Sequence, residues 1–150
     1  MEKIIFLICM ISVSLFAGID GNKKVDFSQY DKVKLSKILK SMTNEVSKSL
    51  PMQMDKITTL ARIYTYNKML VYVKEVDVSA NISIRKLLET KKDKQALKKV
   101  LYEQDKNTVC NEVFLSYLLK KKNAIIEYQW QNKKAIPIFE YTVEYKDCLE

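Results

Sequence analysis

The 150-residue chain contains no histidine. Histidine is the most frequent general acid or base in enzymes and a common ligand of zinc. Its absence excludes Ser-His-Asp and Cys-His nucleophile systems and most zinc sites. We therefore predict that the chain is not an enzyme and that it needs no metal ion and no cofactor.

Glycine and proline are also scarce, since the chain has two of each. Both glycines, Gly18 and Gly21, lie near the amino terminus, so a glycine-rich phosphate loop is excluded from the rest of the chain. The prolines are Pro51 and Pro137. Long linkers are not expected from this composition. We predict one loose segment, residues 18–28, followed by a single domain over residues 29–150.

Arginine is rare as well, although the chain is basic with a net charge of +8. Only Arg62 and Arg85 could offer the planar guanidinium that reads phosphate and guanine in two-point contacts. Specific nucleic-acid recognition is therefore not expected. The lysines predict contact with an acidic protein or an anionic envelope component, including peripheral contact with a membrane. The alternative is that they simply solvate the surface.

The first seventeen residues have the pattern of a secretory signal peptide. Lys3 precedes an uncharged and mostly apolar stretch from Ile4 to Ala17. The stretch is shorter than the roughly 20 residues needed to span a bilayer. We predict cleavage after Ala17 and a periplasmic or secreted location. A retained membrane anchor and a buried first helix are the alternatives.

Three cysteines are present, and one of them, Cys9, lies inside the predicted signal peptide. Cleavage leaves Cys110 and Cys148, and a pair of cysteines in an oxidising compartment usually forms a disulfide. A redox pair and a metal site are the competing interpretations. Both are weak, because the chain has no Cys-x-x-Cys spacing and no histidine.

Hydrophobic periodicity predicts alternating helical and hairpin segments. A helix is expected to begin near Ser28, where an acid three residues later resembles a capping box, and to end before Pro51. A period of two over residues 57–78 predicts a β-hairpin with a turn at Asn67. A helix follows from Ser83, and an interruption at residues 90–93 stays open.

The second half repeats this order, with a helix predicted over Thr108 to Lys121 and a hairpin over Ala124 to Tyr145. Pro137 cannot donate a ladder hydrogen bond, so it predicts an edge strand. The fold class is therefore α+β, with a four-stranded antiparallel sheet from two β-hairpins and helices on one face. Short similarities between the halves indicate either a duplicated helix-plus-hairpin unit or chance.

The segment from Leu50 to Thr58, which leads into a tyrosine-bearing hairpin, and the second half bounded by Cys110 and Cys148 resemble small uncharacterised exported α+β proteins of Gram-negative bacteria. The resemblance covers about 100 residues, a typical domain size. It implies export and this fold class. It implies no activity, and it assigns no functional residue.

Two groups of side chains are candidates for an interface. Tyr66 and Trp130 are expected beside the hairpin turns, where they could form an exposed aromatic edge. Lys91, Lys92 and Lys94 are expected to form a cationic patch. The predicted function is a non-enzymatic binding or accessory protein that docks an envelope or secreted partner through its sheet face or edge.

The sequence leaves two other functions open. One is a small-ligand carrier with a pocket between the helices and a curved sheet. The other is a hydrolase that uses only carboxylates. The carboxylates considered for it, each also consistent with a solvated strand surface, are Asp55, Glu127, Glu140 and Glu144.

Overall fold

The computed structural model describes residues 26–79 and 82–149. The helices are α1 (Leu35–Ser47), α2 (Ile82–Leu87), α3 (Lys91–Asn111) and α4 (Val113–Lys122). The strands are β1 (Met52–Gln53), β2 (Thr58–Tyr66), β3 (Met69–Val76), β4 (Ile125–Asn132) and β5 (Pro137–Val143). Short 3-10 helices cover Ser28–Tyr30 and Tyr145–Leu149. The predicted signal peptide and its cleavage site lie outside the described residues.

The strands form one five-stranded mixed sheet in the order β1-β2-β3-β4-β5. The predicted α+β class is confirmed, but the predicted four-stranded antiparallel sheet is wrong. Both hairpins form, yet β3 and β4 pair in parallel. The helices between Val76 and Ile125 return the chain to the end of the sheet at which β3 begins, as a parallel pair requires. Alternation of apolar residues does not reveal the direction in which two strands pair. Strand β1 has only two residues, which are too few to show an alternating pattern.

The turns of the two hairpins depend on residues with positive φ. Asn67 has a φ of 54° in the first hairpin, a conformation that asparagine tolerates better than most residues. Ala135 has a φ of 58° just before β5. Strand β5, which starts at Pro137, is an edge strand as predicted. The turns fix the register that brings alternate side chains of each strand to the helices.

Helix α1 begins later than its predicted start near Ser28. The backbone N–H of Ser28 donates to the Asp26 carboxylate at 2.8 Å, and a single 3-10 turn follows. The α-helix starts only at Leu35 and buries Ile38, Leu39 and Met42 on one face. Of the predicted loose segment, residues 26–28 are described. There Phe27 packs 5.0 to 5.3 Å from the rings of α4, measured between ring centroids.

The predicted helix over Thr108 to Lys121 is in fact divided between α3 and α4. Glu112 has extended backbone angles, and its side chain caps α4 by accepting from the N–H of Leu115. The open interruption at residues 90–93 is also resolved. Thr90 caps α3 by accepting from Asp93 N–H at 3.1 Å, so α2 and α3 are separate helices. Side-chain capping, which competes with helix continuation, sets both breaks.

The core lies between the sheet and helices α1, α3 and α4. Leu39, Leu70 and Leu118 are fully buried there. The outward face of β3 is covered by a neighbouring side chain. Val71 and Val73 are buried, and Tyr64 of β2 reaches across them to donate to Gln129 of β4 at 3.2 Å. The inward face is the one that carries the candidate site.

Candidate functional site: a cavity between sheet and helices

A cavity of about 660 Å³ lies between the inward face of the sheet and the helices. Strand β3 contributes Tyr72, Lys74 and Val76, because alternate residues of a strand share one face. The apolar side chains that line it come from both the sheet and the helices. They include Val46 of α1, Leu60 of β2, Ile84 of α2, Leu97 and Leu101 of α3, and Phe139 of β5.

A buried polar network forms one part of the cavity wall. Lys74 Nζ donates to both oxygens of Asp105, at 2.6 and 2.9 Å. The Tyr141 hydroxyl donates to Asp105 Oδ2 at 2.6 Å, and Trp130 Nε1 donates to the Tyr141 oxygen at 3.0 Å. Asp105 is the only buried carboxylate in the part of the chain that the structure describes. The network therefore ties α3 to three neighbouring strands at one point.

The ammonium group of Lys74 also lies over two aromatic rings. It is 4.5 Å from the centroid of Tyr128 and 4.8 Å from that of Trp130, within range of cation–π attraction. Burial lowers the pKa of Lys74, while the charge and hydrogen bonds of Asp105, with a smaller contribution from Asp55, oppose that shift. An ammonium has three donors. Asp105 accepts two, which leaves one N–H of Lys74 without a hydrogen-bond acceptor among the described residues.

Tyr72 is the second unusual group in the wall. Only 4% of the residue is exposed, and its hydroxyl is buried without a hydrogen-bond partner in the described structure. Its ring stacks on Tyr128 with centroids 5.4 Å apart. Burial, followed by the negative charges of Glu112 and Asp105, raises its pKa, so the phenol is neutral at physiological pH. An unpaired buried hydroxyl costs about 1–3 kcal/mol, which a suitable ligand group could recover.

Two further carboxylates line the cavity. Asp55 Oδ1 accepts from the N–H groups of Ile57 and Thr58, both at 2.8 Å. Partial burial alone would raise the pKa of Asp55, but these hydrogen bonds and the charge of Lys74 outweigh it, and the pKa is lowered. Glu112 is the second, and it caps α4. With Asp105, the wall carries three carboxylates and one ammonium, in a chain whose net charge is +8.

The structure does not bring the predicted aromatic pair together. Tyr66 is 64% exposed at the end of β2, whereas Trp130 is 6% exposed and lines the cavity. Tyr66 pairs with Met69 at the start of β3, but Trp130 pairs with Lys74 five residues further along. The two aromatics therefore lie toward opposite ends of the sheet. The predicted exposed edge containing both is wrong, because Trp130 belongs to the inward face.

The predicted lysine patch lies at the amino-terminal end of α3. Lys91 and Lys92 are exposed, whereas Lys94 is half-buried. Successive helical residues are rotated by about 100°, so the three side chains spread around the axis. None of them forms an ion pair within the described residues. Contact with an acidic or anionic partner stays a prediction.

The strand carboxylates considered for hydrolysis do not converge. Glu127 accepts from Gln129 Nε2 at 2.7 Å, and Glu144 accepts from Lys146 at 3.3 Å. Glu140 is exposed on β5, where it pairs with Gln129 rather than Glu127. Within residues 26–79 and 82–149, no cluster of three cysteine, aspartate or glutamate side chains could hold a metal ion.

Cys110 and Cys148 form a disulfide in the structure, with Cα atoms 5.5 Å apart. Cys110 lies near the end of α3, not at the start of a helix as predicted, and Cys148 lies in the 3-10 helix after β5. The bond thus fastens the carboxyl-terminal turn to α3, the helix that supplies Asp105 to the cavity.

Sequence reasoning missed Lys74 and Asp105, the two residues at the centre of the polar network. One signal was available. Lys74 occupies an inward position of β3, in phase with Leu70 and Tyr72, where a lysine is rarely buried without a partner. The partner, Asp105, lies 31 residues away in a lysine-rich helix, so no local pattern identifies it.

The fold and cavity define a small two-layer α+β protein with a ligand-sized cleft between its layers. Three solved structures share this fold. A Pseudomonas aeruginosa protein described as secreted is 19% identical, with a TM-score of 0.62, over 76% of this chain and 92% of its own. The pilotin EpsS of the Vibrio vulnificus type II secretion system is 12% identical, with a TM-score of 0.61, over 76% and 91%.

The type II secretion pilotin AspS of Vibrio cholerae is 14% identical, with a TM-score of 0.54, over 76% of this chain and 92% of its own. At these identities the likeness establishes the fold, and the weak resemblance to exported proteins is confirmed. No family model matches the chain, and no curated protein matches its sequence. None of the helices within the described ranges has the length and apolar composition to cross a membrane.

Proposed function

We propose that this chain is an exported, non-enzymatic accessory protein that binds an apolar segment of a partner protein in the cavity between its sheet and helices. The observation that carries the proposal is the cavity, about 660 Å³ and lined largely by aliphatic and aromatic side chains. Large apolar clefts with a few polar groups are the usual binding sites of proteins. The site is thus the inward face of the sheet, not the exposed face or edge expected from the sequence.

The solved neighbours support an accessory role. Two of them are pilotins, components of type II secretion systems, and the third is described as secreted. In the proposal, residues 1–17 direct export and are removed after Ala17, and residues 29–150 act as one binding domain. The disulfide between Cys110 and Cys148 is in keeping with an oxidising compartment.

The chemistry of the cavity favours binding over catalysis. Asp105 is neutralised by Lys74 and receives a third hydrogen bond from Tyr141. Asp55 and Glu112 are each bonded to backbone N–H groups. A hydrolase that uses two carboxylates needs one to donate a proton and the other to act as base or nucleophile. These three are engaged in holding the structure.

A free small apolar ligand is the second candidate occupant. The cavity volume, about 660 Å³, lies within the range of roughly 300–1,000 Å³ typical of small-molecule sites. Mass spectrometry of the protein purified under native conditions separates the two candidates. A retained small molecule of defined mass supports a free small ligand as the occupant. A co-purified protein bound to the chain, without a retained small molecule, supports a segment of a partner protein.

The proposal is tested by the binding of N-phenyl-1-naphthylamine, a neutral fluorophore that brightens in apolar surroundings. Leu101→Trp fills the cavity and is expected to weaken binding about tenfold or more. Val100→Trp is the matched control, because Val100 is the neighbouring residue and is 64% exposed. Equal binding by both variants and the parent chain would contradict the cavity as the binding site.

A further inference from the structure

Two hydrogen-bond donors of the cavity wall lack acceptors. One is the third N–H of Lys74, and the other is the hydroxyl of Tyr72. Both residues lie on the inward face of β3, two positions apart, so their side chains are neighbours. Buried donors normally have partners, so an acceptor from outside the chain would complete the hydrogen bonding of both residues.

The surrounding charges disfavour an anionic acceptor. Lys74 is already neutralised by Asp105, and Asp55 and Glu112 add two more negative charges to the wall. A carboxylate or phosphate entering the cavity would be repelled by this net negative charge. Anions are therefore unsuited to the free donors.

A cationic ligand group fits no better. An ammonium would lie beside the ammonium of Lys74 and would offer no acceptor to Lys74 or Tyr72. The net negative charge of the wall would attract a cation, but this attraction leaves both free donors without an acceptor. Charge and hydrogen bonding together leave an uncharged acceptor as the complementary group.

We infer that the apolar occupant of this cavity presents a neutral hydrogen-bond acceptor, of the amide carbonyl type, to Tyr72 and Lys74. In a partner protein this group is a main-chain carbonyl or an Asn or Gln side chain adjoining apolar residues. The inference rests on the proposed function and specifies the chemistry that the same cavity recognises. It gives the buried pair of donors a role that the apolar lining does not explain.

The test is displacement of N-phenyl-1-naphthylamine from the purified chain by ligands that share one alkyl chain length. The four ligands are N,N-dimethyldecanamide, decanoate, decyltrimethylammonium and decane. The amide is expected to displace the fluorophore at about tenfold lower concentration than decanoate, as one or two hydrogen bonds allow. Tyr72→Phe should lower the affinity for the amide about three- to tenfold and leave the affinity for decane unchanged.

Tyr64→Phe is the matched control, because Tyr64 lies on the outward face and its hydroxyl bonds Gln129. It should leave the whole ligand series unchanged. Thermal unfolding checks that Tyr72→Phe is folded, and loss of its unpaired hydroxyl should keep or raise the melting temperature.

The outcomes separate the two claims. Equal affinity for all four ligands, or an amide affinity that Tyr72→Phe does not alter, overturns the inference while the cavity remains the binding site. Tighter binding of decanoate than of the amide also overturns it. Absence of fluorophore binding, or binding that Leu101→Trp does not reduce, contradicts the proposed function and this inference with it.

Discussion

Lys74 Nζ on β3 lies 2.6 Å from Asp105 Oδ1 on α3, and both side chains are almost fully buried. The ion pair joins the centre of the sheet to the longest helix at the wall of the cavity. It therefore fastens α3 to the sheet at the cavity wall.

Lys74→Met is expected to lower the free energy of unfolding by about 3–5 kcal/mol, because it leaves the Asp105 carboxylate buried without its counter-ion. The double variant Lys74→Met with Asp105→Leu should recover most of that loss. Denaturant unfolding measures both. A single variant no less stable than the double variant would contradict this account of the pair.

Lys133→Met is the matched control for a surface ion pair. Lys133 pairs with Asp77, but its side chain is 63% exposed. The expected loss is at most about 1 kcal/mol, since exposed pairs contribute little.

The disulfide closes a loop between residues 38 positions apart in sequence. Replacing Cys110 and Cys148 together by serine is expected to lower the free energy of unfolding by about 3–4 kcal/mol on the chain-entropy model. Reducing agent should produce the same loss in the parent chain and none in the double variant. Equal stability of the parent chain with and without reductant would show that the bond does not contribute.

Asp55 should make the chain more stable above its unfolded pKa of about 3.8 than below it. Its folded pKa is lowered, so the unfolded state takes up a proton first as the pH falls. The contribution of Asp55 is therefore lost as the pH falls from about 3.8 through the lower folded pKa. Unfolding free energies measured between about pH 5 and about pH 2 should fall less steeply in Asp55→Asn. Glu140→Gln, an exposed carboxylate on β5, serves as control.

The cationic end of α3 predicts salt-sensitive attraction to anionic surfaces. Lys91→Glu with Lys92→Glu should abolish sedimentation with vesicles containing phosphatidylglycerol at low salt. Added salt should likewise weaken the binding of the parent chain to these vesicles. Lys94→Glu should have a smaller effect, because Lys94 is half-buried. Unchanged sedimentation of the double variant would eliminate this surface as a contact.

Much of the fold follows from local patterns, as the first hairpin illustrates. Alternation over residues 57–78 and the turn at Asn67 predict β2 and β3 to within about two residues. The direction of pairing between β3 and β4 could not be predicted, because it depends on the path of the helices between them. The division at Glu112 depends on a side chain capping the backbone, which a hydrophobic period does not record.

The candidate site was less accessible to sequence reasoning than the fold. The position of Trp130 close to a turn in the sequence predicts exposure, but the parallel pairing with Lys74 places Trp130 on the inward face. The polar network depends on contacts between Lys74, Asp105 and Tyr141, which come from three separate elements. Such a site becomes visible only when the sheet order is known.

Photo-crosslinking in the native cells tests the central claim most directly. The photoreactive residue p-benzoylphenylalanine is placed at Leu97, which lines the cavity, and in a matched variant at Gln95, which is exposed on the same helix. The account predicts a discrete protein adduct from position 97 that is absent from position 95 and is lost when Leu101→Trp is added. Adducts of equal yield from both positions, or an adduct from position 97 that survives Leu101→Trp, would contradict it.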